Sequence, residues 1–372
     1  MADPGYGSLR LGRRAIAGIA AAVSAVVLLV CVVLVRSPDG PPERGATGEE
    51  EQQSAPWAAE EDGFFVSPEG DDGGSGRVGD PWRTLGHALA QLRPGDDLTV
   101  AGGRYAENID LELRPAEQAA PIRVRAADGE RPVIVGLLWL EDLSWWQISG
   151  LNVTWNDAND SDEHMVKLTD GDSWRFADAE LWGAKSFAAL LVGGEPENFL
   201  LTGLYVHDTH PANDTNQDHL VYINSGSGGG VLERSILAHS RNGRAVKVGP
   251  PDGGDGEVSD VVIRYVTMVD NRGPSNVQLA YDVSRVVIER CLMVRSGEDR
   301  ANVTTFELTG EDNEVRNSLG WESAGVLDED DGLVDGPGNV VLDPRLSGPG
   351  GDRPYHPQAE QAQDYGRWAP VE

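Results

Sequence analysis

Two of the 372 residues are cysteine, and only three, Lys167, Lys185 and Lys247, are lysine. Cys31 lies in an apolar run, which leaves Cys291 alone in the body of the chain and excludes a disulfide framework. A chain of this length without staples must rest on its core. Basic residues are scarce overall: 30 Lys and Arg face 61 Asp and Glu, for a net charge of −31. That balance argues against binding nucleic acid, whose phosphates need clustered cations, and against docking on an anionic lipid surface. Aromatics make up only 6%, yet 40% of the residues are apolar, which is too much core-forming material for a wholly disordered chain.

One long apolar run is present. Residues 15–35 carry no charge and, as a helix rising about 1.5 Å per residue, would span roughly 30 Å, enough to cross a bilayer. Arg10, Arg13 and Arg14 precede it and Arg36 follows. The positive-inside rule therefore predicts residues 1–14 in the cytoplasm, a signal anchor over 15–35 and the C-terminal domain outside a single-pass cell membrane. A cleaved signal peptide would leave the chain exported all the same. Residues 36–62 are rich in Pro, Gly, Glu and Gln without periodicity, the composition of a disordered acidic linker.

Beyond the linker the chain repeats. Strand-like segments begin at Trp145, Trp174, Phe199, Val231, Val261 and Val286, at spacings of 29, 25, 32, 30 and 25 residues. Most are followed by a second short strand, as in Gly203-Leu204-Tyr205-Val206 and Cys291-Leu292-Met293-Val294, and no long helical pattern interrupts them. A loose period with three short strands per unit predicts an all-β parallel β-helix solenoid over residues 109–342, each coil pairing with those above and below. A β-sandwich would not explain the recurring order of segments. Before it, Trp82, Leu85, Leu89 and Leu92 fall on one helical face, so residues 63–108 are expected to form an N-terminal helical cap. Residues 343–372 form a C-terminal tail.

Phe65-Val66-Ser67-Pro68-Glu69-Gly70-Asp71-Asp72, Pro81-Trp82-Arg83-Thr84-Leu85, Leu92-Arg93-Pro94-Gly95-Asp96 and Gly102-Gly103-Arg104-Tyr105 resemble the N-terminal cap of the right-handed parallel β-helix (pectate-lyase-like) superfamily. Pro121–Val124 with Pro132–Gly136 resembles its first coil, and Asp343–Leu346 with Asp364-Tyr365-Gly366 its tail. The resemblance covers roughly residues 63–366. It implies polysaccharide as partner, and a lyase, a hydrolase, or a non-catalytic carbohydrate-binding or cell-surface protein as function.

A polar residue flanked by apolar ones recurs in Val166-Lys167-Leu168, Val221-Tyr222-Ile223, Val246-Lys247-Val248, Val277-Gln278-Leu279 and Phe306-Glu307-Leu308. With period two, the centres point outward and form a row of Lys167, Tyr222, Lys247, Gln278 and Glu307, interrupted at Leu190 or Leu191. The resemblance places a substrate groove on such a row. On a lyase model Lys247 is the base, and a neighbouring Arg244 or Arg272 disfavours its charged form. Tyr222 or His219 donates a proton to the leaving oxygen. Asp208, Asp214 and Asp218, from a segment dense in His, Asn and Asp, hold Ca²⁺. Lys167, Gln278 and Glu307 would contact substrate. A hydrolase would instead pair Asp218 with Glu307 or Asp270. Of the six tryptophans between 139 and 182, Trp145 and Trp174 are expected inside, and Trp155 and Trp182 exposed as sugar-stacking platforms.

Overall fold

Each repeat closes one turn of a solenoid because its three short strands pair only with the same strands of the coils before and after it. In the computed structural model the described residues are 63–371, except 160–162, 186, 211–216, 225–227, 252–255, 297–299 and 329. The apolar run at 15–35 and the linker lie outside them, and among the described residues no helix is long and apolar enough to cross a membrane. About eight turns stack into three parallel sheets of 12, 8 and 10 strands, wound right-handed. One coil runs Gly228–Glu233, Ile236–Ala238 and then Val246–Val248, one strand to each sheet. The short helix Leu85–Gln91 buries Leu85 and Leu89 and lies against Asn108–Glu112, the terminal strand of the 8-stranded sheet.

The 12- and 10-stranded sheets meet at a corner that recurs in seven coils. Gly150, Asp178, Gly203, Arg234, Tyr265, Arg290 and Asn317 all adopt positive φ there. Five of the seven are not glycine, so the corner accepts a left-handed conformation that disfavours a Cβ by about 1–2 kcal/mol. The next residue then points inward, giving a buried stack of Leu151, Ala179, Leu204, Ser235, Val266, Cys291 and Ser318. Cys291 is fully enclosed, and burial pushes its thiol up to about 12.

The interior is filled by one continuous apolar cluster along the solenoid. Trp174 and Phe199 stack there with centroids 5.3 Å apart. The expectation of Trp145 in the core is corrected by one residue: Trp146 is fully buried, whereas Trp145 takes the positive-φ bend before the strand. Trp145 is partly buried there and packs against the same apolar cluster. Trp155 is also corrected. It is 8% exposed and joins the core rather than standing free as a platform.

The C-terminal tail folds back along the outer face of the 10-stranded sheet. Tyr355, Leu346 and Trp368 cover Ile236, Ala238 and Val269, while Tyr365 packs with Leu292, Val294 and Leu319. The Arg234 guanidinium donates to the Ala369 carbonyl at 3.0 Å, and the Gly366 N–H to the Arg290 carbonyl at 2.8 Å. Beside the tail, the strand ends carry a polar row that crosses from coil to coil. Arg131 pairs with Glu180, whose Oε1 meets His207 Nε2 at 3.0 Å, and His207 Nδ1 lies 2.7 Å from Asp208. His239 Nδ1 approaches Asp208 at 3.2 Å and its Nε2 faces the Tyr355 hydroxyl at 2.9 Å. Asp270 then takes Arg295 in a bidentate pair, and Arg295 reaches Glu322 at 3.3 Å.

Two predictions follow from this packing. A Cβ on Gly230 would meet the Phe199 ring at 2.1 Å. Gly230→Ala is therefore expected to lower stability by about 1–3 kcal/mol, with Phe199→Leu recovering part of the loss in the double variant; additive losses in chemical denaturation would contradict this contact. The second concerns His207. Its burial opposes charge, but the hydrogen-bonded carboxylates of Glu180 and Asp208 hold its pKa above the ordinary 6.5. A raised histidine stabilises fully below its unfolded value, and the gain disappears as pH rises through the folded one. Glu180, lowered chiefly by His207, and Asp208, lowered by His207 and His239 against burial, lose their share as the medium turns acid. His207→Gln should therefore cost more thermal stability at about pH 5.5 than at about pH 8.5. Comparing variant with parent at each pH cancels other histidines, and an equal cost at both would refute the assignment.

Candidate functional site: two rows on the 8-stranded sheet and a corner cavity

The 8-stranded sheet sets the register of the candidate site. Its in-register pairs align Asp110, Trp139, Lys167, Leu191, Tyr222, Lys247, Gln278 and Thr304 in one outward row. Lys167, Tyr222, Lys247 and Gln278 stand where the alternation puts them, with Leu191 as the interruption. Glu307 does not. Val277 pairs with Val303, so Thr304 follows Gln278, while Glu307 lies past the end of the strand Val303–Phe306 and is exposed. The triplet Phe306-Glu307-Leu308 carries the right polarity pattern, but Phe306 is 46% exposed and Val303 is the residue that enters the core.

A second row runs beside the first, three positions earlier in each coil: His164, Ala188, His219, Arg244, Ser275 and Ala301. The Arg244 backbone N–H donates to His219 Nδ1 at 3.1 Å, and the Ala188 N–H donates to His164 Nδ1 at 3.0 Å. The same bond two coils apart leaves Nε2 to carry the proton on each neutral ring. Burial, with Arg244, Lys247 and His164 adding to it, lowers His219 well below the ordinary imidazole value. Burial and then Lys167 bring His164 down to about 4. The role of His164 was missed in the sequence. Its signal was the shared spacing of His164-Met165-Val166-Lys167 and His219-Leu220-Val221-Tyr222.

These rows converge on the Tyr222 ring. Lys247 Nζ lies 4.8 Å from its centroid and the His219 imidazole meets it edge-on at 5.8 Å. Arg244 is packed close behind, 5% exposed, and its backbone fixes His219. Further along, Lys167 Nζ sits 3.5 Å over Trp139 and pairs with Glu163 at 3.7 Å. Lys247 and Tyr222 are each 7% exposed and Gln278 9%, so the centre of this face is enclosed rather than open to solvent.

The remaining predicted residues lie elsewhere. Trp182 is on the 10-stranded sheet, half-buried, stacked near His207 and under the Arg131 guanidinium at 5.2 Å. Asp208 and Arg272 line a cavity of about 870 Å³ at the corner between the 10- and 8-stranded sheets. Asp218 is fully buried between the two regions. Its Oδ2 accepts from Thr209 Oγ1 at 2.9 Å and from the N–H groups of Arg241 and Asn242 at 3.1 Å each, while Oδ1 meets no donor among the described residues. Burial, against those bonds, raises its pKa.

Calcium needs about six to eight oxygen ligands. Asp214 lies outside the described residues, Asp208 is held between two histidines, and Asp218 is occupied in fixing the next coil's loop. Among the described residues no three His, Cys, Asp or Glu side chains gather as a metal set. The described residues do not fit the ion.

No protein-family model matches the chain. A stretch of 119 residues, 32% of the chain, is 28% identical to the pectate lyase PEL9 of Emericella nidulans, and the chain spans 27% of that protein's length. Among solved structures, the complex of XylC with xylose superposes with a TM-score of 0.53 at 10% identity, over 75% of this chain and 68% of that one. A glycoside hydrolase superposes with a TM-score of 0.53 at 9% identity, over 75% of this chain and 96% of the other. At such identities the structural likeness speaks to the fold. Coil geometry, the recurring corner and these likenesses together give the chain the right-handed parallel β-helix fold, with one stretch similar to a pectate lyase.

Proposed function

We propose that the chain is a membrane-anchored extracellular protein that acts on polysaccharide as a lyase, with residues 15–35 as the anchor. The observation that carries this reading is the meeting of Lys247 and His219 on the Tyr222 ring, backed by Arg244. Cleavage by elimination breaks the C–H bond beside a uronate carboxylate and the C–O bond to the leaving sugar, and forms a C=C bond. Lys247 takes the proton. Arg244 offsets the charge that develops on the carboxylate. Tyr222, or neutral His219 through Nε2–H, delivers a proton to the departing oxygen. Lys167 over Trp139 and Gln278 extend the row as substrate contacts on either side. No step in this sequence passes through calcium.

The competing reading, a non-catalytic carbohydrate-binding protein, draws support from the enclosure of Lys247, Tyr222 and Gln278 at 7–9% exposure. One assay separates the two. The chain is incubated with a panel of uronate and neutral polysaccharides, with and without added calcium, and both unsaturated ends and reducing ends are followed. The lyase reading expects unsaturated ends from a uronate polymer, and Lys247→Met, which keeps the side-chain volume, is expected to cut their formation by about 100-fold or more without loss of thermal stability. Absence of both kinds of new end across the panel would remove the enzyme reading.

A further inference from the structure

We propose that the outer face of the 12-stranded sheet is an interface for a second copy of this chain, packed with its solenoid axis reversed. The inference does not depend on the polysaccharide reading.

Pairing between coils lines up Arg175, Leu200, Val231, Val262, Val287 and Glu314 in one row of that sheet. Their strand neighbours Phe199, Leu201, Leu232, Val261, Ile263 and Ile288 are buried, so by alternation the row points outward. Its four aliphatic residues are partly exposed, and none joins the core or the clusters under the C-terminal tail. An apolar strip about 14 Å long, rimmed by charged residues, marks a surface built for contact.

Charge says what fits the strip. The chain carries −31, so two copies repel one another over most of their surface. Here the rim is balanced instead. On one side runs the row Thr202, Glu233, Arg264, Glu289 and Arg316, in which Arg264 holds Glu233 at 2.7 Å and Arg316 holds Glu289 at 2.9 Å. On the other side Arg285 holds Asp260 in a bidentate pair. The strip ends in exposed Arg175 at one end, while at the other Glu314 shares Arg316 with Glu289, which leaves that end negative.

These ends match when the row is reversed against itself. A two-fold axis along the strand direction, passing between Val231 and Val262, sets each row against the same row of the second copy in opposite order. Val231 then faces Val262 of the second copy, Leu200 faces its Val287, and Arg175 faces its Glu314. In the flanking rows Glu233 faces Arg264, Glu289 faces Thr202 and Arg285 faces Asn198. No like charges meet along these three rows. Moving the axis by half a coil puts Glu233 on Glu233 or Arg264 on Arg264, and moving it by a whole coil sets a valine of the strip against Arg175 or Glu314. Six coils by three outward rows give a footprint of about 500 Å² on each copy, enough for a reversible dimer rather than an obligate one.

Sedimentation equilibrium of the full chain in a density-matched non-ionic detergent tests the interface. A monomer–dimer equilibrium with Kd of about 1–100 μM is expected. Val262→Asp should raise Kd about 10-fold or more with the far-UV circular dichroism unchanged, because the side chain lies outside the core. Arg175→Glu, which sets two carboxylates face to face, should raise it about 5-fold or more, and adding Glu314→Arg should bring it back to within about 3-fold of the parent value. That recovery separates reversed copies from any association through residues 15–35, which the charge swap does not touch. A chain still monomeric at about 500 μM, a dimer indifferent to Val262→Asp, a double swap no better than the single, or assembly beyond the dimer would overturn the interface. A monomer whose binding of polysaccharide is weakened by Val262→Asp would overturn it too, and give the face to glycan.

Discussion

Parallel, in-register pairing between successive coils is the constraint on which everything else depends. Each strand satisfies its backbone only through the corresponding strand one turn away, so residues separated by 19–34 positions are forced into rows. A row is therefore a structural object before it is a chemical one. The corner stack from Leu151 to Ser318, the outward row through Tyr222 and Lys247, and the His164–His219–Arg244 row are three readings of the same register. The scaffold brings Lys247 and Tyr222 together because their strands pair residue for residue, not because a loop happened to fold over them.

Enclosure divides the chemistry between two regions. On the 8-stranded sheet, burial keeps His219 and His164 neutral beside lysine and arginine, and a single aromatic ring organises the proton-carrying groups. At the corner, the charges stay exposed and are mostly balanced in pairs, Asp208 with two histidines and Asp270 with Arg295. Asp218 stands between, ordering the loop of one region while adjoining His219 of the other.

Much of this was legible in the sequence because alternation and repeat length are the same quantities that the coil geometry imposes. Lys167, Tyr222, Lys247 and Gln278 were placed by apolar flanks alone, and the register confirmed each. Glu307 failed because two triplets of similar pattern compete in the last coil, and only the depth of Val303 against Phe306 decides between them. Trp145 and Trp146 differ by one step, which pattern cannot resolve when both are aromatic. That Asp208 and Arg272 line a cavity at the corner was not legible at all. It follows from how many residues each coil spends turning the corner, and that number varies from coil to coil.

The returning tail adds something a solenoid otherwise lacks. Coil-to-coil contacts are local in sequence, but Arg234 and Arg367 tie positions 133 and 135 residues apart. The outer face of the 10-stranded sheet stays uncovered until the last residues of the chain are available. Winding of the coils can proceed progressively from one end, yet completion waits for the C-terminus, so a chain still emerging would display Ile236, Val269 and Leu292 as an unpaired apolar strip. Premature termination near residue 345 would thus leave the coils countable but their surface adhesive.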